Sequence, residues 1–394
     1  MARSIEGQLA DLKSRSLLRR LRTIDSACGT VIQTAGRELV NFSSNDYLGL
    51  SAEPALREAA KKAVDEFGVG SGASRLICGT LPPHVLLEKT LAEFKRTRAA
   101  LTFSSGYATA VGAVTALMGK NDIVILDKLC HASLIDGVKL SGATARVFPH
   151  NHMGKLESHA KWAREQGNDA RILIVTESVF SMDGDRAPLA DIVEIKARYG
   201  TLLMLDEAHA IGVIGEHGRG LADRLGLADQ VDIQMGTLSK ALGGSGGYIC
   251  ASQGIIDLLI NKARSFVYST APVPAVAAAA TAAIDFLTSD EGPVRIKKLR
   301  DNLNQFAEEL PGQFLKGSTP QSAIIPIIIG SEDTAVAASQ WLLESGFFVS
   351  AIRYPTVAKG AARLRVTISA AHTSEQINNL CKALATLKDN LRTA

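Results

Sequence analysis

Aromatic residues are scarce in this chain, at 5% of 394 positions, and cysteine is scarcer still. Cys28, Cys78, Cys130, Cys250 and Cys381 are odd in number, widely scattered and form no CxxC pair. That pattern argues against a disulfide framework and a zinc site, and it points to a reducing compartment. Neither sign of charge dominates: 43 Lys and Arg against 40 Asp and Glu leave +3. No overall field therefore draws the chain to nucleic acid or to an anionic membrane. No apolar run approaches the length of a membrane span, and the Ala-rich stretch 275–283 is weakly hydrophobic and follows two prolines. Residues 1–22 hold Glu6 and Asp11 among their basic residues and no apolar signal-peptide core, so a cytoplasmic location is expected.

What is present is ordinary globular material with one excess. Hydrophobic residues make up 46% and charged residues 21%, while glycine reaches 34 positions, which implies many tight turns and close backbone approaches. At about 150 residues per domain the length suggests two or three structural units. Leu9, Leu12, Leu17, Leu18 and Leu21 recur at a helical period with Arg15, Arg19, Arg20 and Arg22 between them, predicting an amphipathic basic helix at the start. A short strand (ELVNFSS) entering a turn (NDYLGL) is expected over 38–50.

From about residue 100 to 250, short apolar runs alternate with helical segments. Strands are predicted at 101–105, 123–127, 145–148, 171–177, 201–208, 231–237 and 246–251. Runs that are continuously apolar, not alternating, indicate strands covered on both faces, hence an α/β fold with a mostly parallel sheet of seven strands. Near 285–295 the character changes to a long charged helix, followed by two or three strands and two helices. The expected organisation is an N-terminal arm and helix (1–45), a large α/β domain (46–285) and a smaller C-terminal α+β domain (286–394).

Ligands of open α/β sheets gather at the carboxyl ends of strands. Asp127, Glu177, Asp206 and Thr237 end predicted strands, with His131, Ser181, His209, Ser239 and Lys240 in the following loops. A lysine flanked by small hydroxyl residues suits covalent attachment of an aldehyde cofactor. An aspartate at a strand end suits a protonated pyridine nitrogen. Ser104-Ser105-Gly106-Tyr107 lies at a strand-to-helix junction, where free N–H groups would hold a phosphate. Together these are the requirements of pyridoxal 5'-phosphate. The GGSGG run at 243–247 lacks the GxGxxG spacing and a following acidic residue, which excludes a dinucleotide fingerprint. His150, His152, His159 and His217 lack such context and read as structural, and Asp183 and Asp185 read as shaping the MDGD turn.

The stretch TLSKALGGSGGYI (237–249), with Asp206-Glu207-Ala208-His209 upstream, resembles the α-oxoamine synthases. These are pyridoxal-phosphate transferases of the aspartate-aminotransferase-like fold, fold type I. The resemblance runs nearly end to end, through NFSSNDYLGL (41–50), FGVGSGASRLICGT (67–80), HASL (131–134), TESVFSMDGD (176–185), GVIGEHGRG (212–220), YSTAP (268–272) and ARLRVTISAAH (362–372). Within the family, 351–365 and 179–189 most resemble the members that condense L-alanine with a pimeloyl thioester in biotin biosynthesis. Members that join glycine to acetyl-CoA are close behind.

The resemblance implies roles residue by residue. Lys240 would carry the cofactor and move the Cα proton, Asp206 would pair with the ring nitrogen, and His209 and Ser181 would lie at the phenolic oxygen. His131 would stack on the ring and act on the thioester carbonyl. Gly106, Tyr107 and Thr237 would hold the phosphate, with Thr270 from a partner subunit. Arg365 would bind the amino-acid carboxylate, Arg19 and Thr356 would contact substrate, and Asn45 would lie nearby. It also implies a homodimer with its site at the subunit interface, small-molecule substrates (L-alanine and an acyl-CoA thioester) and no metal. Three departures stand out: Ser-Ser-Gly-Tyr in the phosphate turn, Ala73 for a frequent glycine, and Tyr354 where proline is usual. The last bears on the acyl chain, and the choice between alanine and glycine stays open.

Overall fold

A computed structural model describes residues 4–167, 170–310 and 320–393. Of the expected segments, residues 1–3, 168–169, 311–319 and 394 lie outside the described residues. The strands are β1 (Val31–Thr34), β2 (Arg37–Asn41), β3 (Ala99–Phe103), β4 (Ile123–Asp127), β5 (Thr144–Phe148), β6 (Ile172–Glu177), β7 (Leu202–Asp206), β8 (Ile233–Thr237), β9 (Gly247–Ala251), β10 (Ile324–Gly330), β11 (Phe347–Phe348), β12 (Ser350–Ile352) and β13 (Ala362–Thr367). The chain divides into two compact units. One comprises the residues up to Gly49, Met182–Gly184 and Lys297 onward; the other comprises Leu50–Ser181 and Asp185–Ile296.

The second unit is built on a seven-stranded sheet of order β3-β9-β8-β7-β6-β4-β5. Every residue of β4, β6, β8 and β9 is buried, as continuous apolar runs require. β9 runs antiparallel to both its neighbours, β3 and β8, because the short 238–246 link returns it beside β8 as a hairpin would. β3 and β5 are the edge strands, and β5 leaves Thr144–Val147 exposed. Leu101, Val114, Leu126, Leu134, Val175 and Ile249 belong to the main core, where the helices Gly106–Leu117 and Ala132–Ser141 pack on the sheet. This is the predicted fold class.

The first unit holds two three-stranded sheets, β1-β2-β11 and β10-β13-β12. β1 and β2 form a hairpin through Ala35 (φ 49°) and Gly36 (φ 72°), so a second strand precedes the one expected from the sequence. The expected basic helix stops early. It spans Ile5–Ser14, and residues 15–22 are not helical. Ser16 adopts φ 53°, and the N–H groups of Leu17 and Ser16 return to the Leu12 and Lys13 carbonyls at 2.8 and 3.1 Å. That is a Schellman stop with serine in the left-handed position usually filled by glycine. No residue of the helix is buried, so no packing favours carrying it on. Among the described residues, no helix is long and apolar enough to cross a membrane.

Candidate active site

Four neighbouring parallel strands of the large sheet, β4, β6, β7 and β8, end on the same edge with Asp127, Glu177, Asp206 and Thr237. Register places Glu177 opposite Asp206, and Met235 on the other side. Both carboxyl groups are almost fully buried, at 2% and 5% exposure. Burial raises the Asp206 carboxyl above the ordinary carboxylate range, while the nearby Lys240 ammonium and the Ala208 N–H pull it back. Glu177 stands higher still, from burial first and then from the adjacent Asp206. A nearby cation favours the ionised form of a buried acid, so this edge is suited to receive positive charge.

Lys240 lies in the loop after β8, and its Nζ is 2.7 Å from His209 Nε2. Asp206 Oδ1 accepts the Ala208 N–H at 2.9 Å, which shapes the turn that carries His209. Ser178, following Glu177, donates its N–H and hydroxyl to the Asp206 carbonyl at 2.8 and 3.1 Å. The predicted trio of Asp206, His209 and Lys240 is thus assembled at adjacent strand ends. Ser181 is buried in the loop after β6. His131 caps the helix Ala132–Ser141, its Nδ1 2.8 Å from Ser133 Oγ, and its own N–H reaches Glu177 Oε1 at 2.5 Å.

The helix Gly106–Leu117 opens beside Thr237. Ser105 Oγ caps it by accepting the Ala108 N–H at 3.1 Å. A Cβ on Gly106 would lie 3.7 Å from Thr237 Oγ1, so the helix N-terminus and this hydroxyl share one surface. Thr237 Oγ1 is fixed by Gly246 O at 2.9 Å and Ser239 Oγ at 3.1 Å. The Tyr107 phenol points away, to Asp136 Oδ2 at 2.8 Å, leaving its backbone as the useful group. An ε-amine, a buried acid, an imidazole on that amine and a helix N-terminus with a hydroxyl form the donor set that pyridoxal phosphate needs. The residues present fit that group. Thr270 belongs to the same unit, bridged to Ser74, and shares a small cavity with Phe103 and Ser104.

In the first unit, Arg365 of β13 is 6% exposed and donates to Asn45 Oδ1 at 3.1 Å. Tyr47 OH also donates to Asn45 Oδ1, at 3.1 Å. Arg19 Nη2 donates to Thr356 Oγ1 at 3.3 Å, so two further predicted residues meet from opposite ends of the chain.

Sequence reasoning passed over several groups. His150, read as structural, lies between Asp127 and Asp185. The buried ion pair Lys95–Glu207 (2.5 Å) sits directly after Asp206, with the Ala222 N–H on the other Glu207 oxygen at 3.1 Å. Arg363 pairs with Asp183 at 2.7 Å. Only the residue types were visible in sequence; the pairing depends on the sheet order.

Comparison with known proteins agrees with the geometry. The profile of the aminotransferase class I and II family matches residues 37–384. The 8-amino-7-oxononanoate synthase of Geobacter sulfurreducens is 45% identical over 391 residues, covering 99% of each chain. A solved serine palmitoyltransferase from S. paucimobilis, with bound PLP-myriocin aldimine, superposes with a TM-score of 0.90 at 28% identity, covering 100% of this chain and 98% of that one. The 8-amino-7-oxononanoate synthase structure from Francisella tularensis gives a TM-score of 0.75 at 29% identity, covering 90% and 98%. The chain belongs to the aminotransferase class I and II family, with the type I fold of the pyridoxal-phosphate transferases, and within it to the 8-amino-7-oxononanoate synthases.

Proposed function

We propose that the chain condenses L-alanine with pimeloyl-CoA, or with pimeloyl-carrier protein, to give 8-amino-7-oxononanoate, the free thiol carrier and CO2 in biotin biosynthesis. The observation that carries this reading is the Lys240–His209 contact beside buried Asp206 at adjacent strand ends. Pyridoxal 5'-phosphate, when bound, supplies an electron sink that makes the alanine Cα proton removable and the later loss of CO2 accessible.

Everything else is work for the chain's own residues. Lys240 anchors the aldehyde through its ε-amine and then moves the Cα proton, a role worth roughly 10²–10⁴-fold. Asp206, buried and acidic, holds the proton on the pyridine nitrogen. His209 and Ser181 hydrogen-bond the phenolic oxygen. His131 packs on the ring and polarises the thioester carbonyl. The Gly106 and Tyr107 N–H groups and Thr237 hold the phosphate, joined by Thr270 from a second copy of the chain. In the first unit, Arg365, oriented by Asn45, takes the alanine carboxylate by charge-assisted hydrogen bonds, and Arg19 with Thr356 contacts the acyl substrate.

Val69, Ile77 and Tyr268, 80%, 78% and 72% exposed, lie within five residues along the chain of the bridged Ser74 and Thr270, and such exposed apolar side chains support a homodimer. The scattered cysteines support the cytoplasm as the place of action. Loading with pyridoxal phosphate, reduction with borohydride and peptide mass mapping tests the anchor. The expected result is a pyridoxyl mass on Lys240; modification confined to other lysines overturns it.

A further inference from the structure

Two of the groups assigned to the cofactor ring, His131 and Ser181, sit on different loops that no strand pairing joins. The first loop is organised by Asp127. Its carboxylate is fully buried and accepts the Leu129 N–H at 2.8 Å, and its carbonyl accepts the Cys130 N–H at 3.1 Å. His131 follows immediately. The second loop is closed by Asp185, whose carbonyl accepts the Phe180 N–H at 3.0 Å, and by the Val179–Arg186 bridge. Ser181 lies inside that closure.

One side chain spans the two. His150, just past edge strand β5, places Nδ1 3.1 Å from Asp127 Oδ1 and Nε2 2.8 Å from Asp185 Oδ2. The edge of its ring geometry is held by Phe180, 4.3 Å away between centroids at 84°. Asn151 doubles the link. Its φ of 52° turns its N–H to Asp127 Oδ2 at 2.9 Å, while Nδ2 reaches Asp185 Oδ2 at 3.2 Å and the Arg186 carbonyl at 3.1 Å. Nε2 also lies 3.2 Å from Asn151 Nδ2, but the nearer partner at each ring nitrogen is a carboxylate oxygen, and a neutral imidazole would aim a lone pair at one of the two; the arrangement favours protons on both.

We propose that His150 is a positioning residue whose imidazolium bolts the loop carrying His131 to the loop carrying Ser181. Burial opposes its charge and is the largest single influence, yet Asp127 and Asp185, the ionisable groups facing the ring, outweigh it and push His150 up to about 10. A cation between two carboxylates fixes both distance and direction, which a packed apolar side chain would not. The proposal rests on His131 and Ser181 being ring contacts, and its test separates the two ideas.

In the wild-type protein labelled with ¹⁵N-histidine, both His150 ring nitrogens should keep the shifts of protonated nitrogen through pH 8. A neutral-imidazole spectrum at pH 7.5 overturns the proposal. His150→Phe, His150→Gln and Asp185→Asn, each loaded with pyridoxal phosphate, should lose at least about half of the visible circular dichroism per bound cofactor. Their kcat should fall about tenfold with KM for alanine within about twofold, the pattern of a small misplacement of reacting groups. Variants with a lower Tm but wild-type dichroism and kcat show that His150 only stabilises the fold and overturn the proposal. If His150→Phe does not fold, the Gln and Asp185 variants and the wild-type spectrum decide. A wild-type protein with no visible band defeats the cofactor reading itself, and the positioning role with it.

Discussion

Asp206 shows how a single residue is tuned by its place. At the end of β7 it is buried, its carboxyl is raised by that burial, and Lys240 draws it back toward ionisation. Asp206→Asn keeps the shape and the bond from Ala208 but removes the charge. The expected result is a folded protein that binds pyridoxal phosphate and turns over at least about a hundredfold more slowly, checked by steady-state CoA release.

Two histidines give opposite signs of pH dependence. His150 is raised to about 10, so its stabilising contribution is complete below the unfolded value near 6.5 and is lost as pH rises through 10. The Tm gap between wild type and His150→Gln should be widest near pH 6 and close toward pH 10. His372 is lowered to about 4, chiefly by burial; its Nε2 donates to Asn41 O at 3.0 Å, and its Nδ1 accepts the Ser369 N–H at 2.9 Å, a bond that only the neutral ring makes. The folded chain keeps it neutral, so stability falls as pH drops from about 6.5 toward 4. His372→Phe, which preserves an aromatic ring against Phe42, should be less stable overall yet lose less Tm between pH 7.5 and pH 5 than wild type.

At the scale of elements, the start of the helix Gly106–Leu117 depends on a close approach by β9. A Cβ on Gly247 would lie 2.4 Å from Thr109 Oγ1 and 2.9 Å from Gly106 Cα, whereas one on Gly106 would meet only Thr237 side-chain atoms at 3.7 and 3.8 Å. Gly247→Ala should therefore displace the helix N-terminus and weaken pyridoxal-phosphate affinity at least about tenfold, while Gly106→Ala changes it little. Titration of the apoprotein by fluorescence quenching distinguishes them; equal effects contradict the account. Elements were legible in sequence where burial writes a pattern. All seven strands of the large sheet were found within a few residues at each end, most clearly β4, β6 and β7, which are continuous apolar runs. The stop after Ser14 was not legible, because serine fills the left-handed position that glycine usually marks. β1 was hidden because Ala35 fills the first left-handed position of its turn and only Gly36 marks the second.

At the scale of the whole molecule, the first unit draws its parts from far ends of the chain. Arg19 meets Thr356 and Arg365 meets Asn45, across separations of 337 and 320 residues. Spacing carries no sign of such pairs; the four residues were expected near the site, each by itself, only through resemblance to a family. The Lys240, Asp206 and His209 group was legible without that help, since all three follow strand ends of one sheet. The His150 bridge was not, since it requires knowing that β4 lies between β5 and β6. If Arg365 holds the amino-acid carboxylate, Arg365→Ala should raise KM for alanine at least about tenfold and leave KM for the thioester nearly unchanged.

The central claim is the substrate pair. It is tested most directly by CoA release with L-alanine, glycine and L-serine, each crossed with pimeloyl-, acetyl- and succinyl-CoA, with the products identified by mass. The highest kcat/KM is expected for L-alanine with pimeloyl-CoA, with a product of the mass of 8-amino-7-oxononanoate. Fastest turnover of glycine with acetyl-CoA would contradict it.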